Sequence, residues 1–203
     1  QAYERVSDKI SIVRFRTQDA AYVTKEDMHS QVEAFSQALV MHLREHGLPD
    51  VVHAHYADAA MVATHVKKEL GIPFIFTGHS LGMVKIAAMP ELAGDISMDR
   101  RLEAEECALQ NASLIIASSR DEAELQYKPY QNYDAGKIRV LPPGSDLAAF
   151  QAARTSDAVE TELCRFLTDP QKPVLLAIDR PVTKKNLIGL VRAYGKSKAL
   201  QDA

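Results

Sequence analysis

Short apolar runs alternate along this chain with longer stretches whose apolar residues recur every three or four positions. Residues 10–15 (Ile-Ser-Ile-Val-Arg-Phe) alternate as a strand does. Residues 25–46 place Met28, Val32, Phe35, Leu39 and Leu43 on one helical face, with Thr24 able to cap the start. Gly47 can close that helix and Pro49 stops any continuation. A strand over 50–55, a helix over 59–70 ended by Gly71 and Pro73, and a strand over 74–77 follow. Beyond them the pattern predicts a helix at 98–111, a strand at 113–118, a short helix at 120–126 and a strand at 137–141.

Repeated strand–helix–strand units of this length predict an α/β fold with a Rossmann-like parallel sheet. Residues 1–150 form the first domain in this reading. Residues 151–172 form a polar connector. Residues 173–203 open a second domain with a strand at 174–178, a loop holding Arg180, Lys184 and Lys185, and a helix at 186–200. A lone strand–helix pair cannot bury both its apolar faces, so this unit either leans on the first domain or belongs to a second domain that continues in a longer protein.

With 46% hydrophobic residues and 203 positions, a full core is within reach. The net charge of −3 gives no broad electrostatic attraction to nucleic acid or membrane, so neither is expected as a partner. Phosphate recognition must then come from local clusters of Lys and Arg. Cys107 and Cys164 lack metal-ligand spacing and read as free thiols of a reducing, cytoplasmic setting. No apolar run is long enough to span a bilayer.

Ligands of open parallel sheets bind beyond the carboxyl ends of the strands. Those positions hold His55-Tyr56-Ala57-Asp58 and Thr77-Gly78-His79-Ser80-Leu81-Gly82 with Lys85, and after the last strand Arg180, Lys184 and Lys185. Glycines at 78 and 82 would allow a sharp turn close to a ligand. Arg100 and Arg101 lie near a helix start. Plainer readings stand beside each. His42, His53 and His65 read as structural, Lys67-Lys68 as a solvated helix face, and Arg100-Arg101 with Glu103, Glu105 and Glu106 as surface ion pairs of little energetic weight. Residues 78–82 also match the G-x-S-x-G nucleophile elbow. That chemistry needs a histidine later in the chain, and none follows His79.

In order and spacing, these segments, with Leu141-Pro-Pro-Gly144 and the Arg180, Lys184-Lys185-Asn186 stretch, resemble sucrose-phosphate synthases. The Gly78–Gly82 segment with Lys85 is the most specific part of the match. The resemblance implies a two-domain GT-B glycosyltransferase of family 4. Such enzymes move glucose from UDP-glucose to fructose 6-phosphate with retention, and no cofactor is expected beyond the donor itself. It implies that Lys25, Lys85 and Arg101, with Arg100 beside them, hold the acceptor phosphate, the kind of anion that cationic donors bind strongly. Tyr56 and Asp58 would contact the fructose unit, and His79 would lie near the transferred sugar. Arg180 and Lys185 would neutralise the departing diphosphate.

A mannosylfructose-phosphate synthase using GDP-mannose would share nearly all these acceptor-side residues, and the piece alone could be a non-catalytic sugar-phosphate-binding fragment. Two departures from the family pattern bear on the site: Asp179 stands where a serine is usual, and Arg16-Thr-Gln-Asp19 replaces a more glycine-rich stretch. The glycine-rich first loop and the nucleotide-contacting segments are expected outside these residues.

Overall fold

Phe74 and Phe76 are 0% exposed, and around them the first unit of the chain is built. In the computed structural model, which describes residues 3–16, 23–24, 27–148, 157–167, 169 and 172–202, four strands pair in parallel. They are β3 (Val52–His55), β4 (Phe74–Thr77), β5 (Leu114–Ala117) and β6 (Ile138–Val140), in that spatial order. The two inner strands, β4 and β5, are covered on both faces, which is why they read as continuous apolar runs. Full burial of a large apolar side chain contributes about 1.5–3 kcal/mol, so the two phenylalanines are major anchors.

Helices α1 (Val32–His46), α2 (Tyr56–Leu70) and α4 (Ile96–Asn111) pack in sequence, α1 on α2 and α2 on α4. Val40, Val62, Val66 and Ile72 form a second apolar cluster beneath α1. Helix α1 is preceded by a 3-10 turn, Met28–Gln31, and Thr24 acts ahead of it. The Thr24 hydroxyl donates to Asp27 Oδ2 at 2.6 Å and accepts the Asp27 amide at 3.3 Å. Gly71 ends α2 in the left-handed conformation, φ 72°, as only glycine does without strain.

Several expectations are corrected. Residues 10–15 do not join the parallel sheet. Strand β2 (Ile10–Val13) pairs antiparallel with β1 (Tyr3–Ser7) in a largely exposed hairpin, because local alternation sets the strand but not its partner. A further helix, α3 (Gly82–Ala88), follows the glycine loop directly. The short helix expected at 120–126 widens into a π-turn over Glu122–Gln126. Lys67 is no solvated residue: its Nζ donates to the Asn111 carbonyl at 2.6 Å. Lys137 Nζ donates to the Gln110 carbonyl at 2.9 Å, so two cations close the negative end of α4.

The chain divides after Gly144. In the second unit, Asp157–Cys164 and Leu187–Lys196 are helical, and a separate turn of helix covers Lys198–Asp202. The strand expected at 174–178 forms no ladder among the described residues, and Leu176 and Ile178 are 70% and 85% exposed. A β-strand exists only against a partner that takes its backbone hydrogen bonds, which local sequence cannot supply. The helix expected over 186–200 breaks at Ser197, the residue between the two helical pieces. Both cysteines are free, Cys107 half-buried and Cys164 exposed.

Candidate active site

At the carboxyl ends of β3 and β4 the backbone does something rare. Tyr56 and His79 both take positive φ, 70° and 57°, although neither is glycine. Such residues cost of order 1–3 kcal/mol each and persist only where the surroundings enforce them, most often at functional sites. The parallel register sets His55 opposite Thr77, so these two turns stand side by side. The His79 ring lies 4.8 Å from Tyr56 and 5.0 Å from His55, centroid to centroid. His55 Nδ1 and His79 Nε2 are 2.7 Å apart and share one proton between them.

His53, read as structural, belongs to the same cluster: its ring is 4.1 Å from His55, and its Nε2 meets the Thr77 hydroxyl at 2.8 Å. Desolvation first, then the neighbouring His55 and His79, holds its pKa below the ordinary 6.5.

The loop carrying His79 is tied from below by buried groups. The Gly78 amide donates to Tyr127 Oη at 3.1 Å, and the Met83 amide to Tyr130 Oη at 3.2 Å. The Gly82 amide donates to Glu105 Oε2 at 2.9 Å. Arg101 Nε donates to Glu105 Oε1 at 2.9 Å, and its Nη2 donates to the Ser80 carbonyl. The Tyr130 hydroxyl donates to Glu105 as well. Glu105 is 1% exposed, so this carboxylate is desolvated and compensated by one cation and several donors. Burial, then the charge of Glu105, pushes the Tyr130 pKa up, so its hydroxyl keeps the proton it donates.

This overturns the reading of Arg101 and Glu105 as a surface ion pair. It also changes the reason for the glycines. Neither Gly78 nor Gly82 carries the positive φ. A Cβ on Gly78 would stand 2.7 Å from Leu81 Cδ2 and 2.8 Å from Tyr127 Oη. One on Gly82 would stand 2.8 Å from Leu102 Cδ2 and 2.9 Å from Glu105 Oε2. The glycines admit the groups that hold the loop.

Asp58 is half-buried in the first turn of α2, and Tyr56 is half-exposed at its start. Lys85 is half-buried on α3, and Arg100 is exposed beside Arg101 on α4, which packs on α3. Lys25 lies outside the described residues. A shallow cavity of about 490 Å³ is lined by Met83, Glu106, Cys107 and Asn132 among others, and by none of the predicted site residues. There Glu106 already accepts the Gln131 and Asn132 amides at 2.7 and 3.0 Å. Among the described residues no group of acidic, histidine or cysteine side chains could hold a metal ion, and no helix is long and apolar enough to cross a membrane.

In the second unit, Asp179 Oδ2 pairs with Lys185 Nζ at 2.8 Å, and Asp179 Oδ1 accepts the Arg180 amide at 2.8 Å. The hydrogen bond from Lys185, then that from the Arg180 amide, lowers the Asp179 pKa. The acid beside Arg180 therefore grips the lysine, not the arginine side chain. Asn186, next to Lys185, is the third non-glycine residue with positive φ among the described ones, at 50°.

The family model of Glycosyltransferase Family 4 matches residues 6–149. The chain belongs to glycosyltransferase family 4. A rice protein named probable sucrose-phosphate synthase 5 is 34% identical over 209 residues, covering 76% of this chain and 21% of that protein. Maize sucrose-phosphate synthase is 30% identical over 205 residues, covering 76% of this chain and 19% of its own length. The chain thus spans about a fifth of the length of the plant relatives it matches. A solved sucrose-phosphate synthase from Thermosynechococcus elongatus matches 100% of this chain and 55% of its own, with a TM-score of 0.63 and 21% identity. A second structure of that protein matches 82% of this chain and 78% of its own, with a TM-score of 0.57 and 19% identity. The α/β architecture of this family 4 chain is therefore the expected GT-B one.

What sequence reasoning missed is the support under the loop: Glu105, Tyr127 and Tyr130. The one local signal was Arg101 and Glu105 at i, i+4 within a helix.

Proposed function

We propose that the protein containing this chain transfers a hexosyl group from a nucleotide sugar to fructose 6-phosphate with retention, UDP-glucose being the favoured donor and sucrose 6-phosphate the product. One observation carries this reading. A loop whose amides are held by buried tyrosines and a buried glutamate presents a strained His79 beside Tyr56 at the mouth of a parallel sheet. Relatives named sucrose-phosphate synthase support it.

In this proposal Tyr56 and Asp58 hold the fructose hydroxyls, and Lys25, Lys85, Arg100 and Arg101 face the phosphate. Much of Arg101 is already committed to Glu105 and the Ser80 carbonyl, so its first task is to shape the loop, and only its remaining donors are open to phosphate. His79, sharing a proton with His55, stands where the sugar is transferred and donates or accepts hydrogen bonds to its hydroxyls. Arg180 and Lys185 stabilise the negative charge that develops on the departing diphosphate. Lys185 must exchange Asp179 for the diphosphate when the donor binds.

The test is transfer by the whole enzyme from UDP-glucose and from GDP-mannose to fructose 6-phosphate. Faster turnover of UDP-glucose supports the proposal. Faster turnover of GDP-mannose makes the protein a mannosylfructose-phosphate synthase and overturns the donor assignment. Transfer from neither removes the acceptor assignment.

A further inference from the structure

One buried carboxylate has no place in the account above. Glu122 is 6% exposed at the carboxyl end of β5. Its Oε2 accepts the Ser118 amide at 2.8 Å and the Ser118 hydroxyl. Its Oε1 is buried and meets no hydrogen-bond partner in the structure. A buried acceptor left in that state costs free energy, so the site is specified by something other than packing alone.

Glu122 also opens the π-turn, and the Tyr127 amide donates to the Glu122 carbonyl at 3.1 Å, five residues back. In an α-turn the residue stacked over Glu122 would be Gln126. The wider π-turn brings Tyr127 over it instead, and such single turns recur at functional sites. The Tyr127 hydroxyl accepts the Gly78 amide, which leaves its own proton to be placed. The Glu122 carboxylate acts on that hydroxyl, although its Oε1 meets no hydrogen-bond partner. Burial first, and then that carboxylate, pushes the Tyr127 pKa up, so the proton stays on the hydroxyl.

We propose that Glu122 is a positioning residue: through Tyr127 it fixes the Gly78 amide and thereby holds His79 in its left-handed conformation against His55. The loop is then held at two amides, by Tyr130, which donates to Glu105, at Met83, and by Tyr127, with Glu122 behind it, at Gly78. The π-turn is the device that gives the second clamp its reach. The value of this clamp to catalysis rests on the transferase reading, but the clamp itself can be tested without any substrate.

The experiment follows the histidine rings of the full 203-residue chain by nitrogen–proton NMR across a pH titration. Glu122→Leu and Tyr127→Phe should each abolish the His55–His79 ring hydrogen-bond signature. They should also move the His53 midpoint upward, because one of the neighbours that depress it has left. Glu122→Gln, which still offers an oxygen to Tyr127, should keep both signals. The proposal is overturned if Glu122→Leu and Tyr127→Phe lower the melting temperature but leave the ring signature and the His53 midpoint unchanged. It is equally overturned if Tyr127→Phe moves them and Glu122→Leu does not. Should Glu122→Leu fail to fold, Glu122→Asp, which withdraws the carboxylate by one methylene, is judged by the same two signals.

Discussion

The loop at Gly78–Gly82 and the segment at Asp179–Asn186 carry similar chemistry and are held in opposite ways. The first is fixed by interior groups: Glu105 is 1% exposed, and Tyr127 is 0% exposed. In the second the charged contact is the ion pair of Lys185 with Asp179, whose side chains are 40% and 35% exposed. A buried network cannot be loosened without leaving a desolvated charge or amide behind, whereas an exposed ion pair exchanges readily with water and salt. In the proposed reaction this suits the two tasks. A group beside the reacting sugar must hold its position, and a cation that meets an arriving diphosphate must be able to let go of its resting partner.

The comparison breaks first at Arg101. Arg101→Ala should destabilise the chain by about 3–5 kcal/mol in denaturant unfolding, because the buried Glu105 loses its cation. A loss under about 1 kcal/mol would mean that the loop is not held from the interior. Next come the glycines. Gly82→Ala and Gly78→Ala should each cost about 1–3 kcal/mol, since each new Cβ meets side-chain atoms at under 3.0 Å. No change in either would show that the loop can shift freely.

A smaller effect is expected with pH. Folding keeps His53 neutral by lowering its pKa from 6.5, so its contribution to stability is complete above that value. The contribution is lost as the pH falls from there towards the folded-state value. Thermal unfolding from pH 7.5 down to 5 should therefore show a decline that His53→Asn reduces, and equal declines in both proteins would assign it elsewhere. The smallest effect belongs to the second unit. Asp179→Asn should leave the melting temperature unchanged while tightening binding of UDP to the whole enzyme, most visibly at low salt. Weaker binding would show that Asp179 orients Lys185 and does not compete for it.

Much of the fold was legible in the sequence. The runs at 74–77 and 114–117 are apolar because both faces of a parallel strand are covered, and Gly71 and Pro73 mark the end of α2. The meeting of Tyr56 with His79 was legible, since polar residues directly after such strands have few other reasons to cluster. Glu105 was not, because it stands in a charge-rich stretch, Asp99 to Glu106, that reads as solvated when the neighbouring Tyr130 is out of sight. Nor was His53, whose partners at 55, 77 and 79 are assembled by the pairing of β3 with β4.

By itself the sequence determined where the inner strands and the long helices of the first unit run, because periodicity and the special conformations of glycine and proline act over a few residues. It also determined which cations and imidazoles follow which strands. Only the tertiary structure decided which carboxylates are buried, which residue bears the strained backbone at the loop, and that residues 174–178 go without a ladder among the described residues. Those outcomes depend on desolvation and pairing between segments tens of residues apart, and neither force is expressed in any local stretch of the chain.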